Sequence, residues 1–262
     1  MAYASEQPAW WGQASATWHL LLLGVRRQLF SRHTLVSLLL LGCAALAVTA
    51  WTLRRDRSSA EFVEDIFLTI YVSFLLPVFC ISYASAGIAS EREERTLVYL
   101  LTSPLPRPLI FLAKASASLL LSMLWTVGSL WLLSWLAGPA GLAPARVVTP
   151  AIAWSTAAYV SLFCLFSVLF PRATIVALCY ALFLEVFLGA MPGIVKRLAI
   201  SFYTRCVIFE VAAPFGIEPG GPFQPELFLP ISAAAALHTL YAVICLLLVA
   251  GVVIFTVREY AP

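Results

Sequence analysis

The chain has 262 residues, of which 62% are hydrophobic and only 11% are charged, and its formal net charge is +3. Soluble domains carry about 25% charged residues, so this composition indicates an integral membrane protein and excludes an ordinary soluble enzyme. A nucleic-acid-binding protein would need a basic face, which a small and scattered positive charge does not supply. No long polar block is present, so residues 1–262 are predicted to form a single transmembrane domain.

The N-terminal segment is predicted to form a helix over about residues 13–32. Its apolar run, residues 20–23, is too short to cross a bilayer. The arginines follow this run instead of preceding it, which argues against a secretory signal peptide. We therefore expect an interfacial helix that lies on the cytoplasmic face of the membrane.

Long hydrophobic runs predict six transmembrane helices, because about 20 apolar residues cross a bilayer core of about 30 Å. Their approximate bounds are residues 35–53, 66–89, 109–136, 150–170, 173–190 and 229–257. Pro77 falls near the middle of the second run, where a missing backbone donor is expected to kink the helix. The stretch GPAGLAPAR, after the third run, is expected to form a turn.

The densest charged segment between two apolar blocks follows the second predicted span. It extends from Glu91 to Lys114 and has the sequence EREERTLVYLLTSPLPRPLIFLAK. Ser90 and Glu93 have the spacing of a capping box, which predicts a helix that begins near Glu91. Three prolines then end the helix, because proline lacks an amide donor. The pattern predicts a short amphipathic helix with a stiff elbow after it.

This segment resembles the signature of the ABC type-2 transporter permeases. The shared pattern is an acidic-basic-acidic run, then Thr-Leu, a Leu-Leu pair, a proline and a later lysine. The matching residues are Glu91, Arg92, Glu93, Thr96, Leu97, Leu100, Leu101, Pro104 and Lys114. Arg95 departs from the family, which usually has glycine just before the threonine.

The resemblance implies that the segment is a cytoplasmic coupling helix, which contacts a separate ATPase subunit. The contact residues would be Glu91, Arg92, Glu93, Arg95, Thr96, Leu97, Leu100 and Leu101. It further implies that two copies of the permease, or one copy and a relative, form the translocation pathway. ATP and Mg²⁺ would be bound by the partner ATPase, and no cofactor by this chain.

The same resemblance implies an orientation in the cell inner (plasma) membrane with both termini in the cytoplasm. Segments that would then be cytoplasmic hold nine of the lysines and arginines, and outer segments hold seven. The positive-inside rule therefore favours this orientation only slightly.

The segment from Met191 to Phe228, between the fifth and sixth predicted spans, is too long for a simple turn. Apolar residues recur every three to four positions from Val195 to Phe209, with polar residues opposite, which predicts an amphipathic helix of about five turns. Pro214 is expected to end it. The resemblance implies short helices that dip back from the outer face, and a helix that rests on lipid headgroups is the alternative.

Two ionisable residues, Glu185 and His238, fall inside the fifth and sixth predicted spans. At about 1.5 Å per residue both lie about 18–20 Å from the cytoplasmic side, so they are predicted to be able to meet. A charge at such depth often marks a transport pathway. The alternative is a structural hydrogen-bonded pair between two helices.

No motif for catalysis or metal binding occurs in the sequence. The two lysines, Lys114 and Lys196, fit no Walker A loop, so ATP hydrolysis would reside in a separate subunit. No CxxC is present and the three histidines are scattered, which argues against a metal site.

The sequence therefore predicts an all-α membrane protein with six transmembrane helices and an N-terminal interfacial helix. A coupling helix would lie between spans two and three, and short outer helices between spans five and six. The predicted function is the transmembrane permease subunit of an ATP-driven ABC-2 type exporter. The alternatives are a secondary transporter, which would usually show inverted repeats, and a non-transporting scaffold or membrane enzyme.

Overall fold

Helices make up all the regular structure in the parts of the chain that this computed structural model describes, which are residues 9–53, 58–93, 105–188, 195–217 and 230–258. The first two helices are α1, Ala9–Leu29, and α2, Arg32–Thr52. Helix α3 is continuous over residues 59–93, through Ser59–Phe62, a π-helical stretch Val63–Leu75, and Leu76–Glu93.

The remaining five helices follow in chain order. Helices α4 and α5 are Arg107–Ala137 and Pro139–Leu169. Helix α6 begins as Ala173–Cys179 and continues as a π-helix, Tyr180–Leu188. Helices α7 and α8 are Ile200–Ala212 and Ala233–Val257.

Five of these helices are long and apolar enough to cross a membrane: α2, the Ser59–Ser85 part of α3, α4, α5 and α8. They correspond to five of the six predicted spans. The fifth predicted span corresponds to α6, whose apolar part is shorter, Ala173–Phe183, within the described residues. The chain is therefore a multi-pass membrane protein.

Helix α5 lies at the centre of the bundle, where it packs against α3, α4, α6, α7 and α8. In the most apolar stretch of each helix, 61% of the residues of α5 and 72% of those of α3 are buried, compared with 22% in α2 and 17% in α8. Lipid tails are as apolar as the leucines and valines that α2 and α8 expose, so these two helices are suited to the edge of the bundle.

The proline-rich stretch that was predicted to be a turn is mostly helical. Only Gly138, with φ at 72°, separates helix α4 from helix α5. Pro139 occupies the first turn of α5, where its missing donor is not needed. Pro144 and Pro150 lie inside the helix, as membrane helices allow when neighbouring helices satisfy the freed backbone groups. The helix that corresponds to this span therefore begins at Pro139, eleven residues before the predicted start at residue 150.

The predicted helix start near Glu91 is also wrong, because α3 continues without a break from Leu76 to Glu93. Ser90 thus lies inside a helix, where the backbone amides are already bonded one turn back and need no cap. The helix end that uses a serine cap is the other one, where Ser58 Oγ accepts from the amide of Glu61 at 3.1 Å.

The first half of α3 is π-helical, and two side chains reflect this. Thr69 Oγ1 and Ser73 Oγ donate to backbone carbonyls five residues back, those of Glu64 and Leu68, each at 2.8 Å. The π-helical bonding gives way to α-helical bonding at Leu76, one residue before Pro77. Pro77, which was predicted to kink this span, therefore follows the point where the helix changes type.

Two arginines close one end of the bundle by capping helix C-termini. Arg258 donates to the carbonyl of Leu169 at 2.8 Å and to that of Val168, at the end of α5. Arg107 donates to the carbonyl of Thr256 at 3.0 Å, near the end of α8. A cation beside the last carbonyls of a helix is stabilised by the helix dipole.

Replacing Gly251 by alanine should destabilise the bundle, because the new Cβ would lie 2.5 Å from Cζ of Phe111. Overpacking of this kind costs about 1–3 kcal/mol. The matched control is Gly42→Ala in α2, where nothing lies within 4 Å of the new methyl group and helix propensity should give a gain of up to about 1 kcal/mol. Thermal unfolding in detergent, followed by tryptophan fluorescence, measures both. Equal unfolding temperatures would contradict the packing of α8 on α4.

Candidate functional site

The hydrogen-bond partners of Glu185 differ from the predicted one. Its side chain is 3% exposed, and Oε1 accepts a hydrogen bond from the Tyr180 hydroxyl at 3.0 Å. The backbone amides of Ile200 and Ser201 donate to its two oxygens, also at 3.0 Å. These amides are the first of α7, so an acid of α6 caps the N-terminus of α7, where the helix dipole favours negative charge.

His238, the predicted partner of Glu185, is not among the hydrogen-bond partners of this carboxylate in the described part of the chain. Its imidazole lies at an exposed position of α8. The donors from Tyr180 and from the start of α7 already occupy both carboxylate oxygens. Glu185 therefore has three donors on α6 and α7, and none of its described hydrogen bonds involves His238.

The predicted five-turn outer helix is divided into three pieces. A 3₁₀ turn, Val195–Leu198, precedes α7, and a second one, Ala213–Phe215, follows it. Ala199 has an extended backbone, which ends the first turn and directs the amides of α7 toward Glu185. The chain then leaves the second turn through Gly216, with φ at 81°.

Helix α7 is buried on nearly all sides, and its polar side faces the bundle. Arg205, which is 7% exposed, donates from an Nη2 group to Ser73 Oγ of α3 at 2.8 Å. Thr204 and Ser155 of α5 share a hydrogen bond at 2.5 Å. The apolar side, including Phe202 and Val207, is buried as well. A helix that rests on lipid headgroups would expose one side, so this alternative does not fit.

Helix α7 is thus joined to four other helices by polar bonds. Glu185 joins it to α6, Thr204 to α5, and Arg205 to α3. At its C-terminal end, Glu210 accepts from the amide of Ala233 and so caps α8. We call the inner part of this arrangement the α7 junction, defined as Ser73, Glu185, Ser201 and Arg205.

A second group of polar side chains ties α3, α4 and α5 together. The Tyr71 hydroxyl donates to the carbonyl of Thr126 and lies 3.0 Å from Ser129 Oγ. Thr156 Oγ1 donates to Thr126 Oγ1 at 3.0 Å. Such bonds hold membrane helices together.

Helix α1 is bound to the rest of the bundle by a chain of hydrogen bonds. Gln28 Nε2 donates to Ser118 Oγ of α4 at 3.3 Å, and Ser118 Oγ donates to the carbonyl of Tyr83 in α3 at 3.2 Å. A Cβ on Gly24 would lie 3.4 Å from that of Ala117, so α1 and α4 approach closely. Helix α1 therefore packs on the bundle, while Trp18 and Leu23 remain exposed.

Most of the predicted ATPase-contact residues lie outside the described residues. Glu91, Arg92 and Glu93 occupy the last three positions of α3. The others, Arg95, Thr96, Leu97, Leu100 and Leu101, fall in the undescribed range 94–104. Lys114, the last residue of the family pattern, is buried in α4.

Sequence reasoning missed Arg205 as a buried site residue. The periodicity did place Ser201, Thr204 and Arg205 on one side of a helix, which was the available signal. It could not show that this side faces the protein, because a polar side usually indicates exposure. Among the described residues, no group of three or more His, Cys, Asp or Glu is placed to hold a metal ion.

Spanning helices around a buried polar junction define a multi-pass membrane protein. A family model described as ABC-2 family transporter protein matches residues 25–191, more than half of the chain. The chain therefore belongs to the ABC-2 transporter family, as the pattern after the second span predicted, and it is a permease of this type. The match extends from α1 to just beyond α6. A search of curated proteins found no match to this chain.

Proposed function

We propose that this permease is the transmembrane subunit of an ATP-driven exporter and forms its translocation pathway. The observation that carries the proposal is the family match, which includes α2 to α5 and the charged segment between α3 and α4. A separate ATPase subunit would dock on the chain and bind ATP and Mg²⁺. A second copy, or a related permease, would complete the pathway.

The force from ATP binding would enter through the coupling segment, Glu91–Leu101. The two helices on either side of this segment, α3 and α4, both pack against α5. A displacement of the segment would therefore reach the centre of the bundle directly. The family resemblance supports this role, and the length and packing of α3 and α4 suit it.

Purification of the tagged permease from its own membranes in lipid nanodiscs tests the function. We expect a stoichiometric ATPase subunit with Walker A and B motifs, and vanadate-sensitive ATP hydrolysis by the complex. A permease that purifies without an ATPase and moves its substrate on an ion gradient would instead be a secondary transporter. A protein with neither property would be a scaffold.

The proposed topology has six spans, with α6 as the fifth span over about residues 173–190. Both termini and the coupling segment would face the cytoplasm of a cell whose inner (plasma) membrane holds the protein. Residues 196–226 would face outward. The even number of spans and the coupling segment support this arrangement.

Cysteine labelling should distinguish the two faces. A cysteine placed at Arg95 should resist a membrane-impermeant maleimide in intact cells, whereas one placed at Gly220 should react. Disruption of the cells should expose the first site and so serves as its control. Labelling at position 95 without labelling at position 220 in intact cells would reverse the proposed orientation.

A further inference from the structure

Helix α1 exposes large apolar side chains on the side that faces away from the bundle. Gly24 and Gln28 lie on its inner side, where both are buried and Gln28 bonds Ser118 of α4. On the outer side and at the residue that follows the helix, four apolar side chains are between 47% and 87% exposed: Trp18, Leu22, Leu23 and Phe30. Among the described helices, α1 is not one of the five that are long and apolar enough to cross a membrane. A helix that does not span but exposes such a side needs another apolar surface to cover it.

Arginines adjoin this apolar side at the C-terminal end of α1. Arg26 and Arg27 lie in the last turn of α1, and Arg32 is the first residue of α2. All three side chains are exposed. Arg26 follows Leu22 and Leu23 by one helical turn, so a cation shares one side of the helix with apolar groups. The sequences of α1 and α2 contain no aspartate or glutamate, so the two helices supply three cations and no acid.

These arginines lie near the depth of the lipid headgroups, because a spanning helix begins at Arg32. Leu35 and Val36 follow Arg32 by about one turn, or about 5 Å along the helix axis. They are 71% and 53% exposed, as apolar side chains that face lipid tails would be. The boundary between lipid tails and headgroups therefore falls close to Arg32. An arginine at such a boundary extends its guanidinium toward the headgroups while its stem stays among apolar groups.

Charge distinguishes a lipid from a second copy of this chain as the occupant of the surface. In a two-fold contact the same surface of two copies meets itself, which would bring the arginines of both copies together. Like charges placed opposite each other oppose such a contact. The phosphate of a lipid headgroup instead accepts two parallel hydrogen bonds from a guanidinium. The surface also continues along the chain into α2, whose most apolar stretch is only 22% buried.

We propose that the outer side of α1 and the start of α2 form a docking surface for phospholipids with a negatively charged headgroup. The exposed apolar side chains of α1 lie among the upper parts of the acyl chains, and Arg26, Arg27 and Arg32 bind the headgroup phosphates. An amphipathic helix binds a membrane interface through buried apolar area together with attraction to anionic lipids, and this surface supplies both. The proposal depends neither on an ATPase subunit nor on the direction of transport, so it can fail or hold independently of the proposed function.

Fluorescence quenching by brominated lipids tests the surface. The exposed native cysteines, Cys43, Cys179 and Cys245, are first replaced by alanine, and bimane is attached through Phe30→Cys. The full chain is placed in phosphatidylcholine nanodiscs that contain an equal fraction of brominated phosphatidylglycerol or of brominated phosphatidylcholine. Phosphatidylglycerol should quench the label more strongly. Arg26→Gln and Arg32→Gln should each lower the ratio of the two quenching constants about fivefold, because each removes one cation beside the headgroups.

Arg172→Gln provides the matched control, because Arg172 is also exposed but lies between α5 and α6. It should leave the quenching ratio unchanged, and an equal fall in this control would overturn the proposal by showing a general effect of net charge. Equal quenching by the two lipids would show that α1 contacts the membrane without selecting a headgroup. Absence of quenching by either lipid would show that protein covers the surface. Each of these two results would also overturn the proposal.

Discussion

Replacing Leu97 and Leu100 together by aspartate should release the ATPase subunit while the transmembrane helices remain inserted. The amphipathic pattern of the coupling segment predicts that Leu97, Leu100 and Leu101 insert into a groove of the partner. Buried apolar anchors of this kind contribute about 1–3 kcal/mol each, and charges at the rim contribute less. Changes at Arg92, Glu93 or Arg95 should therefore weaken docking only slightly. The ratio of ATPase to permease after affinity purification measures the effect.

The matched control is the double replacement of Leu97 and Leu100 by methionine, which keeps both positions apolar and should preserve the normal ratio. Size-exclusion chromatography of the permease checks that the aspartate variant remains folded. If the ATPase still purifies at the normal ratio and its activity stays coupled to transport, the coupling segment has been assigned wrongly.

Replacing Glu185 by alanine should cause a large loss of stability. Three donors, the half-buried Tyr180 hydroxyl and the buried amides of Ile200 and Ser201, would lose their acceptor, and Arg205 would lose the nearby negative charge. The removal of one partner from a buried charged arrangement costs about 3–5 kcal/mol. Glu185→Gln keeps one acceptor oxygen and should cost only about 1–2 kcal/mol. Denaturant unfolding in detergent measures both changes.

Glu64→Ala serves as the control for this series, because Glu64 is an exposed acid on α3 and its loss should change stability by less than about 0.5 kcal/mol. If the role of Glu185 is structural, the loss of stability should be largest for Glu185→Ala, smaller for Glu185→Gln and smallest for the control. If Glu185→Gln instead abolishes transport while the protein keeps its stability, the charge itself serves the transport pathway.

The sequence predicted α2, α4 and α8 to within a few residues. The predicted bounds 35–53, 109–136 and 229–257 compare with Arg32–Thr52, Arg107–Ala137 and Ala233–Val257. The reason is that the length of an apolar run must match the thickness of the bilayer, which is a property of each segment alone.

The errors arose where a local preference competed with packing. The stretch that contains Pro144 indicated a turn, and Pro150 was predicted to begin the next span, but α5 continues through both prolines at the centre of the bundle. Ser90 and Glu93 indicated a helix start, but α3 does not end before them. A proline or a capping residue shifts the local balance by only a few kcal/mol, which contacts with neighbouring helices can outweigh.

The sequence by itself determined the membrane class, the approximate spans and the transporter family, because hydrophobic length and a short motif are both local patterns. Only the tertiary structure decided that Glu185 caps α7 and that Arg205 lies inside the bundle against Ser73. The depth of a residue along its helix does not determine the direction in which its side chain points. That direction depends on how helices far apart in the chain pack, so His238 is exposed while the start of α7 binds the buried acid.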